Sequence, residues 1–389
     1  MDNNSFKRLD FSLIFIVIAF CVLSIIFIHS SQQTGQYGNQ DFAMKQGINY
    51  IVGFILMFAV ARFDSDQILK LAWPLYGIGF ASILLLKVMP NSIAPTILGA
   101  KRWFSIPLIG SIQPSEFFKI SLLIVVASIA IKHNEMYFEH TVQSDLLLIG
   151  KIVLVSLPPS IFVYMQPDTG MVFLYLGGIV SIILLSGVKA KLMAWLTAVP
   201  LALGGSLIFI YLQYPYIIFQ KLIPLLKPHQ QERILGWLAP SQFSDQGYQT
   251  SQSLLAVGSG ELIGKGIGNG TVYIPEKHTD FIFATVAEEG GFIIASIVIC
   301  LFLLLIYRII SIAHSADTPF GAYICAGSAV MLSLQIFQNI GMIVGLMPVK
   351  GISLPFLTYG GSSLFSNMIL IGIFLSIRKS YRKYMFSVD

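Results

Sequence analysis

The chain has 389 residues, 55% of them apolar, 13% aromatic and only 11% charged. A soluble fold of that composition would have a core without a polar surface to cover it, so a soluble domain is excluded and an integral membrane protein is expected. The net charge of +5 informs through its placement, and no nucleic-acid partner is expected.

Runs apolar and long enough to cross ~30 Å of hydrocarbon as helices fall at 11–28, 47–61, 71–89, 117–131, 146–165, 171–188, 192–214, 281–307, 320–345 and 360–377. The expected fold is all-α, a single polytopic membrane domain over 1–389 with about ten transmembrane helices, the fourth and tenth short. A large extracytoplasmic loop, 215–280, separates helices seven and eight. The first run follows Lys7 and Arg8 and lacks a small-residue cleavage site before His29, the pattern of an anchor. Cys21, Cys300 and Cys325 fall in three different predicted helices as small apolar side chains, so neither a disulfide nor a cysteine metal site is expected.

With the N-terminus cytoplasmic, 13 of the 24 Lys and Arg residues lie on inner segments. Of the 11 outer ones, five (Lys221, Lys227, Arg233, Lys265, Lys277) sit in a loop too long to count toward orientation. The remaining ratio of 13 to 6 predicts both termini inside. Polar interruptions gather on the opposite side, in "LGAKRWFSIPLIGSIQPSEFFK" (98–119), "QPDTG" (166–170), the long loop, and "GLMPVKGISLPFLTYGGSSL" (345–364). Chemistry or recognition is therefore expected to face outward.

Within the long loop, "PYIIFQKLIPLLKP" (215–228) reads as a helix lying in the outer interface with snorkelling lysines, a pattern a lipid-headgroup guide would share. "GSGELIGKGIGNG" (258–270) is not a Walker loop, because only three residues separate Gly260 from Gly264-Lys265 and Gly266 stands where Ser or Thr is required. It is read as flexible backbone over the membrane surface.

Ionisable groups at membrane depth usually pair or face a wet cavity. Glu116 and Lys119, three apart at the start of helix four, form either a structural pair or part of a ligand site. Asp168 suits a cap for helix six. Arg102 and Trp103 put a cation and an interface aromatic on the side where the charge rule does not ask for one, which points to an anionic partner. In "YIPEKHTDFIFATVAEEGG" (273–291), Asp280 stands just before an apolar run, as an N-cap or as a reactive carboxylate. Glu288 and Glu289 lie about 12–14 Å further along the helix and are expected to be buried hydrogen-bonding or ion-pairing groups, with a catalytic role as the alternative.

Taken together, "GAKRWF", "QPSEFFK", "QPDTG", "TDFIFATVAEEGG" and "GLMPVKGISLPFLTYGGSS" closely resemble the SEDS family (shape, elongation, division and sporulation), which includes RodA, FtsW and SpoVE. The resemblance runs from about residue 45 to the C-terminus. It implies ten membrane helices and a peptidoglycan glycosyltransferase that polymerises lipid II on the outer face of the cytoplasmic membrane, beside a class B penicillin-binding protein. Asp280 matches the family's essential aspartate. Arg102, Trp103, Glu116, Lys119, Asp168, Ser362 and Ser363 match positions lining the outer cavity. Thr358 stands where relatives often carry Ser. The short tails and "KHTDFIFA" look most like RodA of a Gram-positive rod, which would place the chain in the elongation machinery; the division (FtsW) and sporulation (SpoVE) branches share the chemistry.

The donor implied by the resemblance is an α-linked sugar pyrophosphate and the product is β-linked, so one inverting displacement suffices. It needs a base, for which Asp280 is the candidate, and positive charge for the leaving pyrophosphate, for which Arg102, Lys119 and Lys277 are candidates. A divalent cation, Mg or Mn, is a further expectation. A lipid II flippase would instead spread charge through the membrane depth and carry internal repeats, and a pure scaffold would leave Asp280 and Asp168 without a task.

Overall fold

The computed structural model describes residues 10–384 apart from 34, 35, 37, 39, 98, 107–109, 241 and 243, so Lys7 and Arg8 lie outside it. In chain order the elements are α1 (Phe11–Gln32), α2 (Phe42–Val60), a short α3 (Ser65–Lys70), α4 (Ala72–Val88), a hairpin of β1 (Phe104–Ile106) and β2 (Gly110–Ile112), and α5 (Pro114–Met136). There follow α6 (Val142–Met165), α7 (Thr169–Leu185), α8 (Ala190–Gln213), the one-turn α9 (Pro215–Ile217), α10 (Pro228–Leu238), α11 (Ser244–Ser259), α12 (Ile282–His314), α13 (Pro319–Ile343) and α14 (Gly361–Tyr384). Eight of them, α1, α2, α5, α6, α8, α12, α13 and α14, are long and apolar enough to cross a membrane, and α4 and α7 are shorter apolar helices.

Each expected run thus finds an apolar helix, but the short ones are the third and sixth, not the fourth and tenth. The fourth begins at Pro114, a residue suited to the first helical turn, and carries Glu116 and Lys119 inside it. Their side chains are buried and pair at 2.7 Å, so charge that cuts the hydropathy run short does not end the helix. This helix, α5, is the hub: it is buried along most of its length and packs on α4, α6, α7, α13 and α14. By contrast α8 has no buried residue.

Polar backbone freed inside the bundle is satisfied by neighbours, as it must be where water is absent. Pro159 in α6 cannot donate to the carbonyl of Val155, and the hydroxyl of Tyr76 on α4 donates to that carbonyl at 2.7 Å instead. The non-helical segment 344–360 enters the bundle with Ile352, Leu354, Phe356, Leu357 and Thr358 buried. Its carbonyls are taken up by Ser24 (to Leu357, 3.0 Å), Gln46 (to Thr358, 3.3 Å), Tyr50 (to Phe356), Gln335 (to Ser353, 2.9 Å) and Asn339 (to Ile352, 2.7 Å).

The Gly-rich stretch departs from its sequence reading. It is packed backbone to backbone against α12, which breaks at Gly291 (φ 65°, ψ −168°). The amides of Lys265 and Gly266 donate to the carbonyls of Glu288 and Glu289 on one side of the break (3.1 and 3.0 Å), and those of Phe292 and Ile293 donate to Glu261 and Leu262 on the other (2.9 and 3.2 Å). A Cβ at Gly264 would come within 2.1 Å of the Glu289 carbonyl oxygen, and one at Gly291 within 2.2 Å of the Gly264 nitrogen. These glycines serve close approach, not flexibility. Segment 215–228 is also less regular than a single helix: a π-turn (Ile218–Leu222) and a 3-10 turn (Ile223–Leu225) follow α9, with Ile218 and Ile223 inward and Lys221 and Lys227 exposed.

Candidate active site

Asp280 lies one residue before the N-cap of α12, which is Phe281 and carries no side-chain cap. The capping role expected of Asp280 is therefore absent, and its partly exposed carboxyl stands beside Gly351 and within reach of the charges of Arg102 and Arg233, a surrounding termed the cleft. The backbone around it is fixed: Asn339 donates to the Asp280 carbonyl at 2.9 Å and to that of Ile352 at 2.7 Å, tying the turn at Asp280 to segment 344–360. Gly351 (φ 62°) lets that segment pass close, since a Cβ there would sit 3.1 Å from Asp280 Oδ2. Burial, reinforced by Glu276, pushes the Asp280 carboxyl up to about 6 against the opposing pull of Arg233 and Arg102. A carboxyl held there is matched to proton abstraction near neutral pH.

Two cations, Arg102 and Arg233, act on this carboxylate, and a third, Lys350, acts on Arg233. Arg102 spends its Nε and one Nη on the carbonyls of Gln166 (2.8 Å) and Pro167 (2.7 Å), and its guanidinium lies over the half-buried Trp103 ring at 5.8 Å. It is a clamp on the turn that presents Asp168 and does not offer a full fork to a ligand. Arg233, on α10, and Lys350, in segment 344–360, make no ion pair or hydrogen bond among the described residues; Lys350 rests over the Phe173 ring at 5.6 Å. Trp237, one turn from Arg233 and on the same face of α10, donates to the Gly345 carbonyl at 2.8 Å and so aims that face at segment 344–360. Burial and the mutual repulsion of these cations lower the proton affinity of both, with Asp280 offsetting it at Arg233. The sequence reading counted Arg233 only as loop charge and quoted Lys350 only within a motif; no local pattern marks either as a cavity cation.

Asp168 is the N-cap of α7, accepting from the Met171 amide at 3.3 Å, and its second oxygen accepts from Gln113 at 2.8 Å. Burial raises its proton affinity, with Arg102 opposing. Gln113 in turn receives Ser362, whose Oγ accepts its amide at 2.9 Å, and Ser363 Oγ lies 2.8 Å from Ser353 Oγ. Deeper still, Lys119 bridges Glu116 (2.7 Å) and Asn367 (3.1 Å). Ser366 donates to the Ser363 carbonyl (3.0 Å) and lies 3.3 Å from Glu116, so the Glu116–Lys119 pair joins Ser363, and the chain bond to Ser362 joins it to Gln113 and Asp168 in one polar shelf.

Lys277 does not join them. Its side chain is fully buried, with Nζ 2.9 Å from Glu288 Oε2 and 3.3 Å from the Val272 carbonyl. Glu288 also accepts from Lys265 (2.8 Å) and from the amides of Thr271 and Val272, while Glu289 accepts from Ser30 and the Gly268 amide. The two glutamates pin the Gly-rich stretch to α12, as buried pairing groups do, and Lys277 is part of that pin.

Fold and site together define a polytopic helical membrane protein with a raised carboxyl near two arginines. A sequence profile of FtsW, RodA and SpoVE, described as "Cell cycle protein", matches residues 10–383. The chain is 33% identical over 347 residues to the "Probable peptidoglycan glycosyltransferase FtsW" of Geobacter sp. (strain M18), covering 88% of each. Among solved structures it resembles one described as "Structural coordination of polymerization and crosslinking by a peptidoglycan synthase complex" (TM-score 0.74, 26% identity, 96% of this chain and 98% of that one). It also resembles the Thermus thermophilus rod shape determining protein RodA (TM-score 0.65, 25% identity, 96% and 97%). The chain belongs to the FtsW, RodA and SpoVE family, the SEDS proteins.

Proposed function

We propose that the chain is a peptidoglycan glycosyltransferase that polymerises lipid II on the outer face of the cytoplasmic membrane, with both termini inside. The observation that carries this reading is Asp280, relieved of any capping role, its carboxyl pushed up to about 6 by burial and Glu276 and drawn back by Arg233 and Arg102. In the reaction Asp280 takes the proton of the acceptor sugar's 4-hydroxyl, the freed oxygen bonds to the donor's anomeric carbon, and the bond from that carbon to the pyrophosphate oxygen breaks with inversion. Arg233 and Lys350, which have no protein acceptor among the described residues, offset the charge that grows on the leaving lipid pyrophosphate. Arg102 holds the 166–168 turn, and Asp168 with Gln113 orders the shelf against which the sugars rest.

The elongation role expected from the sequence gives way here to the division branch, on the strength of the FtsW name carried by the curated relative. A class B penicillin-binding protein is the proposed partner, supported by the synthase complex among the structural neighbours. The described residues bring no three His, Cys, Asp or Glu side chains together; a divalent cation, Mg or Mn, would have to be held by one or two carboxylates and the substrate pyrophosphate, and no step is routed through it. The test is incubation of the purified chain and its partner with labelled lipid II: polymer resolved by length is expected, and unreacted lipid II would overturn the reading.

A further inference from the structure

A second carboxylate stands at the mouth of the cleft, and the mechanism above gives it no task. Glu276 adopts φ 55°, a left-handed conformation that a residue with a side chain holds only when its surroundings enforce it, and such residues cluster at active sites. Here the enforcing contacts are plain. The Glu276 carbonyl accepts from the amides of Thr279 (3.0 Å) and Phe281 (3.5 Å), closing a turn that folds residue 276 back beside Asp280. Thr279 Oγ1 lies 3.1 Å from both the carbonyl and Oε2 of Glu276, so the carboxylate is strapped to the turn although it is exposed.

The charges facing Asp280 are unequal in sign. Arg102 comes from the 101–103 loop and Arg233 from α10, whose charge Lys350 of segment 344–360 feels in turn; α13 contributes the neutral Asn339. On its own turn Asp280 has Glu276 and His278, whose ring stacks on Phe42 at 4.3 Å. Two cations with no second anion would hold the carboxylate ionised but make it a poor base.

We propose that Glu276 is a positioning residue for the base, a strapped second carboxylate that offsets the surrounding cations and keeps Asp280 proton-accepting. This rests on the reading of Asp280 as the base. Burial is the largest cause of the raised Asp280 carboxyl, Glu276 is the next, and Arg233 and Arg102 oppose both. Glu276 also raises the proton affinity of His278, which burial lowers, so His278 must be separated from Asp280 in any titration.

The test is the pH profile of kcat/KM for lipid II polymerisation by the purified chain with its partner. Glu276→Gln keeps an oxygen for Thr279 and removes the charge. It is expected to move the acid limb to lower pH by about half a unit or more and to lower the plateau several-fold. Thr279→Val, which frees the carboxylate without removing it, is expected to give a smaller shift in the same direction and carries the test if the glutamine variant does not fold. His278→Asn is expected to leave the parent limb in place. A limb unmoved in both Glu276→Gln and Thr279→Val would make Glu276 a solvated rim residue, and a limb that follows His278→Asn would make His278 the titrating group; either overturns the proposal. Activity retained by Asp280→Asn would instead overturn the underlying base assignment.

Discussion

Lys277 is the residue whose role changes most between sequence and structure, and its removal tests that change. Its buried ammonium meets Glu288 at 2.9 Å, and Glu288 keeps Lys265 at 2.8 Å and the amides of Thr271 (2.7 Å) and Val272 (2.9 Å) when Lys277 is gone. Breaking a buried pair typically costs 3–5 kcal/mol; with so many partners left, Lys277→Met is expected near ~3 kcal/mol. Glu288→Leu is worse, because it strands a fully buried ammonium as well as two amides, and ~5 kcal/mol is expected. Lys265, whose side chain is 25% exposed, rehydrates when released, so Lys265→Met should cost no more than ~1 kcal/mol. The assay is the thermal midpoint of each variant in nanodiscs, with protease protection of the Gly-rich stretch as a local readout. The ranking Glu288→Leu, then Lys277→Met, then Lys265→Met is the prediction. A Lys277→Met protein as stable and protected as the parent would refute the buried pin and return Lys277 to the cleft.

Other outcomes follow from the same geometry. Activity should fall as pH drops through about 6, because the base must be ionised; a profile flat down to pH ~4.5 would exclude Asp280 as the titrating group. Since the folded state raises the Asp280 carboxyl, ionisation costs stability that accumulates between the unfolded value of about 4 and the folded value of about 6. Asp280→Asn should therefore be more stable than the parent above pH ~6 and equal to it below pH ~4, by thermal midpoint. Arg102→Lys keeps the charge but cannot span the carbonyls of Gln166 and Pro167 with a fork, so turnover should drop in a folded protein; unchanged turnover would make Arg102 a loop charge. A cysteine at Asn269 should react with an impermeant thiol reagent in intact cells and one at Lys189 should not, the reverse pattern placing the cleft in the cytoplasm.

Hydropathy made the spans legible because lipid requires long apolar helices, and it misjudged α5 because Glu116 and Lys119 cancel each other inside the helix, which a residue-by-residue scale cannot register. Motif spacing brought Asp280, Asp168 and Arg102 to the same end, where the structure also has them. It could not separate a glycine that bends freely from one that admits a neighbouring backbone, so the stretch at Gly264 was taken for a flexible loop, although it is wedged into the break at Gly291. Nor could it tell a lysine held by a glutamate eleven residues away from one free to meet phosphate. Lys277 was placed in the cleft for that reason, while Arg233 and Lys350 passed as ordinary loop charges.

The central claim is that Asp280 is the base of a glycosyl transfer, and Asp280→Asn tests it most directly. Asparagine matches the carboxylate in shape and no cap hydrogen bond is at stake, so the variant should insert, fold and bind its partner as the parent does. With purified variant, partner and labelled lipid II, the rate of polymer formation is expected to fall by ~100-fold or more. Polymerisation at near the parent rate would contradict the assignment and leave the cleft without its base.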